Sequence, residues 1–278
     1  MTNVRIVTDS ACDLPGALAD SLGIEIVPLT IRFGEQEFVD RLDLSPAEFW
    51  ARCASSPTLP ETAAPPPGAF EDAFRRIAAD GADAIVCINL SSALSATMQS
   101  AELAARNVAD QVRVEVSDSR SVTMGLGMIA VAAARHATSG AELDDVVGYT
   151  HALVGRTRVF GALDTLDNLK KGGRIGGAKA LVASVLSIKP IIEVRDGRVE
   201  EAGKQRTRSR ALAHLVDIVA THKPVENLAV MHADASDVDQ LVERLVPYYD
   251  GDIVVGDIGA VIGTHAGRGA AGVIFQTL

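Results

Sequence analysis

Four side chains combine chemically useful types with irregular surroundings. They are Thr62 in a proline-rich stretch, Ser95 behind an apolar run, Arg174 in a glycine-rich segment and His265 between two glycines. Such segments carry function more often than the elements they join. Hydroxyls donate hydrogen bonds, a guanidinium supplies fixed positive charge, and an imidazole exchanges a proton near neutral pH. The set suits an anion. Ser91-Ser92-Ala93-Leu94-Ser95-Ala96-Thr97 follows the strand-like run Ala84–Asn89. Its hydroxyls and helix-start N–H groups would therefore face outward at the carboxyl edge of a sheet. Serine is equally a preferred helix N-cap, so a capping role for Ser95 stands beside the ligand role.

Other chemical motifs lack the context they need. Gly125-Leu126-Gly127-Met128-Ile129-Ala130 has dinucleotide-loop spacing but lies inside a helical pattern. Gly267-Arg268-Gly269-Ala270-Ala271-Gly272 repeats that spacing with six residues left after it, too few for the helix that would face a pyrophosphate. In Gly172-Gly173-Arg174-Ile175-Gly176-Gly177-Ala178-Lys179 the lysine does not directly follow the second required glycine, and no Ser or Thr comes after it, as a P-loop demands. No serine sits in a G-x-S-x-G elbow, and the six histidines are scattered without ligand spacing. We expect no metal and no nucleotide cofactor.

These groups must be positioned by a sizeable apolar frame. Of the 278 residues, 47% are hydrophobic and 22% charged, which favours a packed core over disorder. A net charge of -10 with only 4% aromatics argues against nucleic acid and against anionic lipid surfaces. Met1-Thr2-Asn3-Val4-Arg5-Ile6-Val7 enters a strand-like run without a basic segment and long apolar stretch, so no export signal is expected. Every apolar run is interrupted well short of the roughly 20 residues of a membrane helix. Three widely spaced cysteines fit neither a disulfide framework nor a metal site, so a cytoplasmic location is expected.

Short β-branched runs alternate with helical patterns, the signature of a parallel sheet with helical crossovers. Strands are expected at Val4–Thr8, Ile24–Leu29, Ala84–Asn89 and Val112–Val116. Helices are expected near Pro15–Leu22, Pro46–Cys53, Ala69–Ala79, Ala96–Asn107 and Ser121–Thr138, the first two capped by Asp13 and Ser45. Five prolines between Ser56 and Gly68 exclude a helix or central strand and leave an ordered loop or linker. Further on come Thr157–Leu163, a hairpin of Ile188–Val194 and Arg198–Ala202 turning on Asp196-Gly197, a helix at Arg208–Thr221, a strand at Leu228–His232, a helix at Val238–Val246 and strands near Ile253–Val255 and Val273–Gln276. The reading is a two-domain α/β protein. A parallel-sheet N-terminal domain spans residues 1–155, a smaller mixed α/β domain spans 156–278, and the ligand site lies between them.

The markers Ile6-Val7-Thr8-Asp9-Ser10 with Asp13-Leu14, Pro60-Glu61-Thr62 to Pro67-Gly68, and Leu94-Ser95-Ala96-Thr97-Met98-Gln99-Ser100-Ala101 recur in a known order. Leu169-Lys170-Lys171-Gly172-Gly173-Arg174-Ile175, Lys189-Pro190-Ile191, Arg206-Thr207-Arg208 and Gly263-Thr264-His265-Ala266-Gly267 complete it. In these the chain resembles the DegV family from its first strand to its last. The resemblance implies a carrier that holds a long-chain fatty acid between two domains. It implies that the carboxylate is presented to a separate ATP-using kinase, related to dihydroxyacetone kinases, which makes the acyl phosphate for phospholipid metabolism. The carrier itself would hold no ATP and have no catalytic residue. Thr62 and Ser95 would bond the carboxylate, Arg174 and His265 would belong to the surrounding polar network or handle phosphate, and Arg206 would face the kinase. Two departures are Ala63-Ala64-Pro65-Pro66, where Ser-Gln-Pro-Ser is usual, and Arg268, where proline is usual. Two rivals remain: an acyl hydrolase or transferase with Ser95 as nucleophile and His265 as base, and a sensor of another hydrophobic acid.

Overall fold

The computed structural model describes residues 2–179 and 188–278. Thirteen strands are described in this region: β1 (Val4–Asp9), β2 (Glu25–Val27), β3 (Thr30–Phe33), β4 (Gln36–Val39), β5 (Glu61–Ala63), β6 (Ala84–Asn89), β7 (Arg113–Asp118), β8 (Thr157–Ala162), β9 (Lys189–Arg195), β10 (Arg198–Gln205), β11 (Val225–His232), β12 (Val254–Asp257) and β13 (Ala271–Thr277). Between them run the helices α1 (Gly16–Ser21), α2 (Pro46–Ser55), α3 (Pro67–Ala79), α4 (Thr97–Asn107), α5 (Met124–Thr138), α6 (Leu143–Arg156), α7 (Asp167–Lys171), α8 (Arg208–Thr221), α9 (Val238–Leu245) and α10 (Ala260–Ala266).

The N-terminal half builds a four-stranded sheet in the order β2-β1-β6-β7, parallel throughout, as the alternation of strands and helices predicts. Its central strand β6 is buried along its whole length, which suits the unbroken apolar run Ala84-Ile85-Val86-Cys87-Ile88. One face packs on α3 and α4 through Phe70, Phe74 and Ala101. The C-terminal half builds a six-stranded sheet, β10-β9-β8-β13-β11-β12, antiparallel except for its last pair. Its outer face packs on α8 and α9 through Leu212, Leu215 and Leu241.

Helix α5 lies between the two sheets and touches strands of both. Ten of its 15 residues are buried, because Met124, Leu126, Met128 and Ile129 meet apolar partners on opposite sides. The glycines there serve close packing. A Cβ on Gly127 would lie 2.7 Å from the Cys12 carbonyl oxygen, and one on Gly125 would lie 2.6 Å from Val159.

Several details differ from the sequence reading. Asp13 does not cap the first helix: Pro15 precedes α1 without a side-chain cap bond, and Asp13 Oδ1 instead accepts from the Gly259 N–H at 3.0 Å. Residues 30–63 contribute a small antiparallel sheet, β4-β3-β5, that the reading did not contain. Strand β5 lies inside the proline stretch, where three residues between Pro60 and Pro65 pair along one edge of β3. Ser45 does cap α2, in a reciprocal capping box with Glu48. The β9–β10 hairpin turns on Asp196 and Gly197, both with positive φ, as a two-residue turn of that type requires.

Candidate functional site

Thr62 reaches the site from the middle of β5, whose pairing with Ile31 fixes which side chain faces inward. Ser95 stands in the Leu90–Ala96 segment that connects β6 to α4. Its Oγ accepts from the Thr97 N–H at 3.3 Å and lies 2.9 Å from Thr97 Oγ1. The N-cap position of α4 is Ala96, so Ser95 shapes the turn before the helix and keeps a hydroxyl toward the interior. Arg174 follows α7 in the glycine-rich segment, donating from Nε to the Leu94 carbonyl at 3.0 Å and from Nη1 to the Gly172 carbonyl at 2.6 Å. It thus joins the C-terminal segment to the residue next to Ser95. His265 occupies the last turn of α10, with Nε2 3.0 Å from Thr62 Oγ1.

All four side chains line one cavity of about 190 Å³. The rest of its wall is aliphatic: Leu29, Leu90, Leu94 and Val122 from the N-terminal half, Ile192, Val194 and Val199 from the β9–β10 hairpin, and Val261 and Ile262 from α10. An apolar chamber with a small polar group at one place is a common form of site for an amphipathic small molecule. A larger cleft of about 740 Å³ sets Asp118, Arg120, Arg158, Glu193 and Arg195 beside Met98, Val116, Val154 and Val194, and is the more polar of the two.

Burial pushes the His265 pKa down to about 4, and the neighbouring Arg174 charge adds to that shift. The ring is therefore neutral at physiological pH, with one nitrogen donating and the other accepting. Its Nδ1 is buried, has no partner among the described residues and faces the backbone of Gly172, where a Cβ would lie 2.4 Å away. Among the described lining residues Arg174 is the permanent cation. The bond to Thr62 and the turn bond of Ser95 leave no Ser95–His265 pair of the kind a nucleophile and its base would make.

Arg206 does not line the cavity. It is exposed at the bend between β10 and α8, while Arg208 beside it is held by Asp237 through two bonds of 2.9 Å. Arg268 is engaged by Asp234 at 2.7 Å, and Ala64 supplies apolar wall. The sequence reading missed α10 as a helix, although Val261, Ile262, His265 and Ala266 have the one-face spacing of a short helix. Among the described residues no group of three or more His, Cys, Asp or Glu could hold a metal. Among them, too, no helix is long and apolar enough to cross a membrane.

The DegV family, described as one of uncharacterised proteins, matches residues 3–278. A DegV domain-containing protein of Streptomyces coelicolor is 38% identical, with 99% of each chain covered. Another from Mycobacterium tuberculosis is 38% identical, covering 97% of this chain and 96% of its own. Among solved structures, a DegV family protein from Thermus thermophilus, described for its fatty acid binding, aligns with a TM-score of 0.92 at 30% identity over the whole of both chains. DegV of Bacillus subtilis, described as a fatty acid binding protein, aligns with a TM-score of 0.90 at 28% identity, again over both whole chains. A stearic acid-binding protein from Eubacterium ventriosum aligns with a TM-score of 0.90 at 25% identity, covering 99% of this chain and 98% of that one.

Proposed function

This chain belongs to the DegV family, and on that premise we propose that it binds a long-chain fatty acid in the apolar cavity between an N-terminal domain, residues 1–155, and a C-terminal domain, residues 156–278. The observation that carries the reading is the convergence of Thr62, Ser95, Arg174 and His265 on one otherwise aliphatic chamber. Burying each methylene is worth about 0.8 kcal/mol, so an acyl chain gains on the order of 10 kcal/mol. Each hydroxyl bond to the carboxylate adds about 1 kcal/mol net, and somewhat more for a charged acceptor. Chain burial supplies affinity, and the polar end supplies orientation.

The polar end suits a carboxylate for a specific reason. With the proton on His265 Nε2, that N–H donates to Thr62 Oγ1, and the threonine hydroxyl is left to donate into the cavity. Arg174 provides compensating charge behind Ser95 through its hold on Leu94.

The protein acts in this reading as a cytoplasmic carrier that presents the carboxylate to a separate ATP-dependent kinase, related to dihydroxyacetone kinases, for acyl phosphate formation. Arg206, exposed and outside the cavity, belongs to the kinase-facing surface. The first test is organic extraction and mass spectrometry of lipid from protein purified without detergent. A stoichiometric fatty acid supports the carrier; protein that is empty and takes up no added oleate overturns it. Arg206→Ala should bind oleate as wild type does and slow acyl phosphate formation with the kinase, and an unchanged rate would remove Arg206 from that surface.

A further inference from the structure

The end of β1 holds the walls of the cavity without lining it. Asp9 Oδ2 accepts from the Leu90 N–H at 2.8 Å, and Ser10 Oγ accepts from the Leu29 N–H at 3.0 Å. Both leucines line the cavity. Asp13 extends the pattern to the far wall, because its Oδ1 accepts from the N–H of Gly259, the N-cap residue of α10. Helix α10 supplies Val261, Ile262, His265 and Ala266 to the cavity. Asp13 sits in the left-handed region, φ 50, directly after the short turn Ser10–Cys12, so the terminus of β1 aims its side chain. The approach is close: a Cβ on Gly259 would lie 2.7 Å from Asp13 Oδ1.

We propose that Asp13 is a positioning residue for the acid site: its carboxyl seats the N-terminus of α10 and thereby fixes where His265 meets Thr62. Its effect on ligand binding rests on the fatty acid reading, whereas its effect on α10 does not. Burial is the main cause that raises the Asp13 pKa, to about 7, and nearby Asp40 raises it further. Thr123, the Gly259 N–H and Arg41 pull it back, although Thr123 Oγ1 and Asp13 Oδ2 complete no hydrogen bond with each other. The groups facing Asp13 are these and two more. Asp40, just after β4, is itself raised chiefly by burial, with an Oδ2 that has no partner among the described residues. The Cys12 thiol is raised to about 12 by burial and stays neutral. On the open side of the same cleft lies the exposed Asp257. An ionised carboxyl accepts more strongly from Gly259 than a protonated one, so the bond that seats α10 tightens above neutral pH even as the buried charge lowers the stability of the whole fold.

Trp50 is the chain's single tryptophan and packs on α10, since a Cβ on Gly263 would lie 3.0 Å from its ring. Its emission in lipid-free protein therefore reads α10, and titration with oleate reads the site. In wild type both should change between about pH 6 and pH 8, with oleate bound about five-fold more tightly at the upper end. Asp13→Asn keeps an acceptor but cannot ionise, and should hold the Trp50 reading flat, leaving in oleate binding only the smaller change near pH 6 that belongs to Asp9. Asp13→Ala should shift Trp50 emission and weaken oleate about five-fold or more at pH 8. Asp40→Asn should keep a transition in Trp50, moved to lower pH. An Asp13→Asn protein with the wild-type pH dependence of Trp50 overturns the proposal, as does an Asp13→Ala protein with unchanged emission. If the alanine variant does not fold, the asparagine variant carries the test alone. If Trp50 follows Asp13 while oleate binds none of the proteins, the positioning role stands and the fatty acid reading falls.

Discussion

Thr62 Oγ1 and His265 Nε2 lie 3.0 Å apart across 203 residues of chain. One stands on a three-residue edge strand, the other on a seven-residue helix, and neither element is stable alone. Each is held by packing on the rest of the fold, so the pair reports whether the two halves of the site have closed on each other.

Thr62→Val removes the hydroxyl at nearly constant volume and leaves His265 Nε2 without its partner. Oleate affinity measured by isothermal titration should fall by about 1–2 kcal/mol. Wild-type affinity in this variant would take the hydroxyl out of the site.

Ser95→Ala loses the turn bond to Thr97 and, in the proposed reading, one donor to the carboxylate. Affinity should fall by about 1 kcal/mol, while acyl phosphate formation with the proposed kinase partner should fall further because the carboxylate is misplaced. Equal transfer by mutant and wild type would count against the assignment.

Gly172→Ala places a methyl 2.4 Å from His265 Nδ1 and 3.1 Å from the Asn168 carbonyl. The imidazole must move, so oleate binding should weaken and the His265 ring resonances should shift. Unchanged resonances would mean that the segment after α7 gives way instead.

His265 makes stability pH-dependent with a definite sign. Its folded pKa, about 4, lies below the ordinary value near 6.5, so the unfolded chain takes the proton first as pH falls. The stability present above about pH 6.5 is lost progressively down to about pH 4, by up to on the order of 3 kcal/mol. Asp9 and Asp13, raised chiefly by burial to about 6 and about 7, act oppositely: their contribution is full at low pH and is lost as pH rises through those values. The His265 part therefore appears as a difference. Urea unfolding of His265→Gln should show a flatter loss between pH 6.5 and pH 4 than wild type, and parallel curves would refute the shift.

Ile192→Ala shortens the chamber wall by about three carbons and should cost about 2 kcal/mol of acyl binding, more than either hydroxyl. Because Ile192 is only partly buried, the fold should tolerate the change. Competition between acids of different length, read by mass spectrometry, would show whether the missing volume admits a longer chain.

Much of this architecture was legible in the chain. The strand Ala84–Asn89 and the helix Arg208–Thr221 are legible to the residue, because a short unbroken apolar run rich in β-branched residues and a regular apolar stripe leave little choice. The Asp196-Gly197 turn was legible for the same local reason. Helix α6 was missed where Gly148, Gly155 and β-branched residues dilute the stripe, and α10 because seven residues with a glycine carry too little periodicity. Strand β5 was hidden among prolines that allow only an edge strand. The four polar candidates were found by type and setting, but Asp13 was read as a cap.

By itself the sequence determined the α/β class, the placement of most elements and the polar groups worth watching. These follow from propensity and periodicity, which act over a few residues. Only the tertiary structure decided that Thr62 meets His265, that aliphatic side chains from both halves enclose them, and that His265 is neutral. Those depend on burial and on contacts between distant segments, and desolvation is a property of the whole surrounding volume that no short stretch of chain encodes.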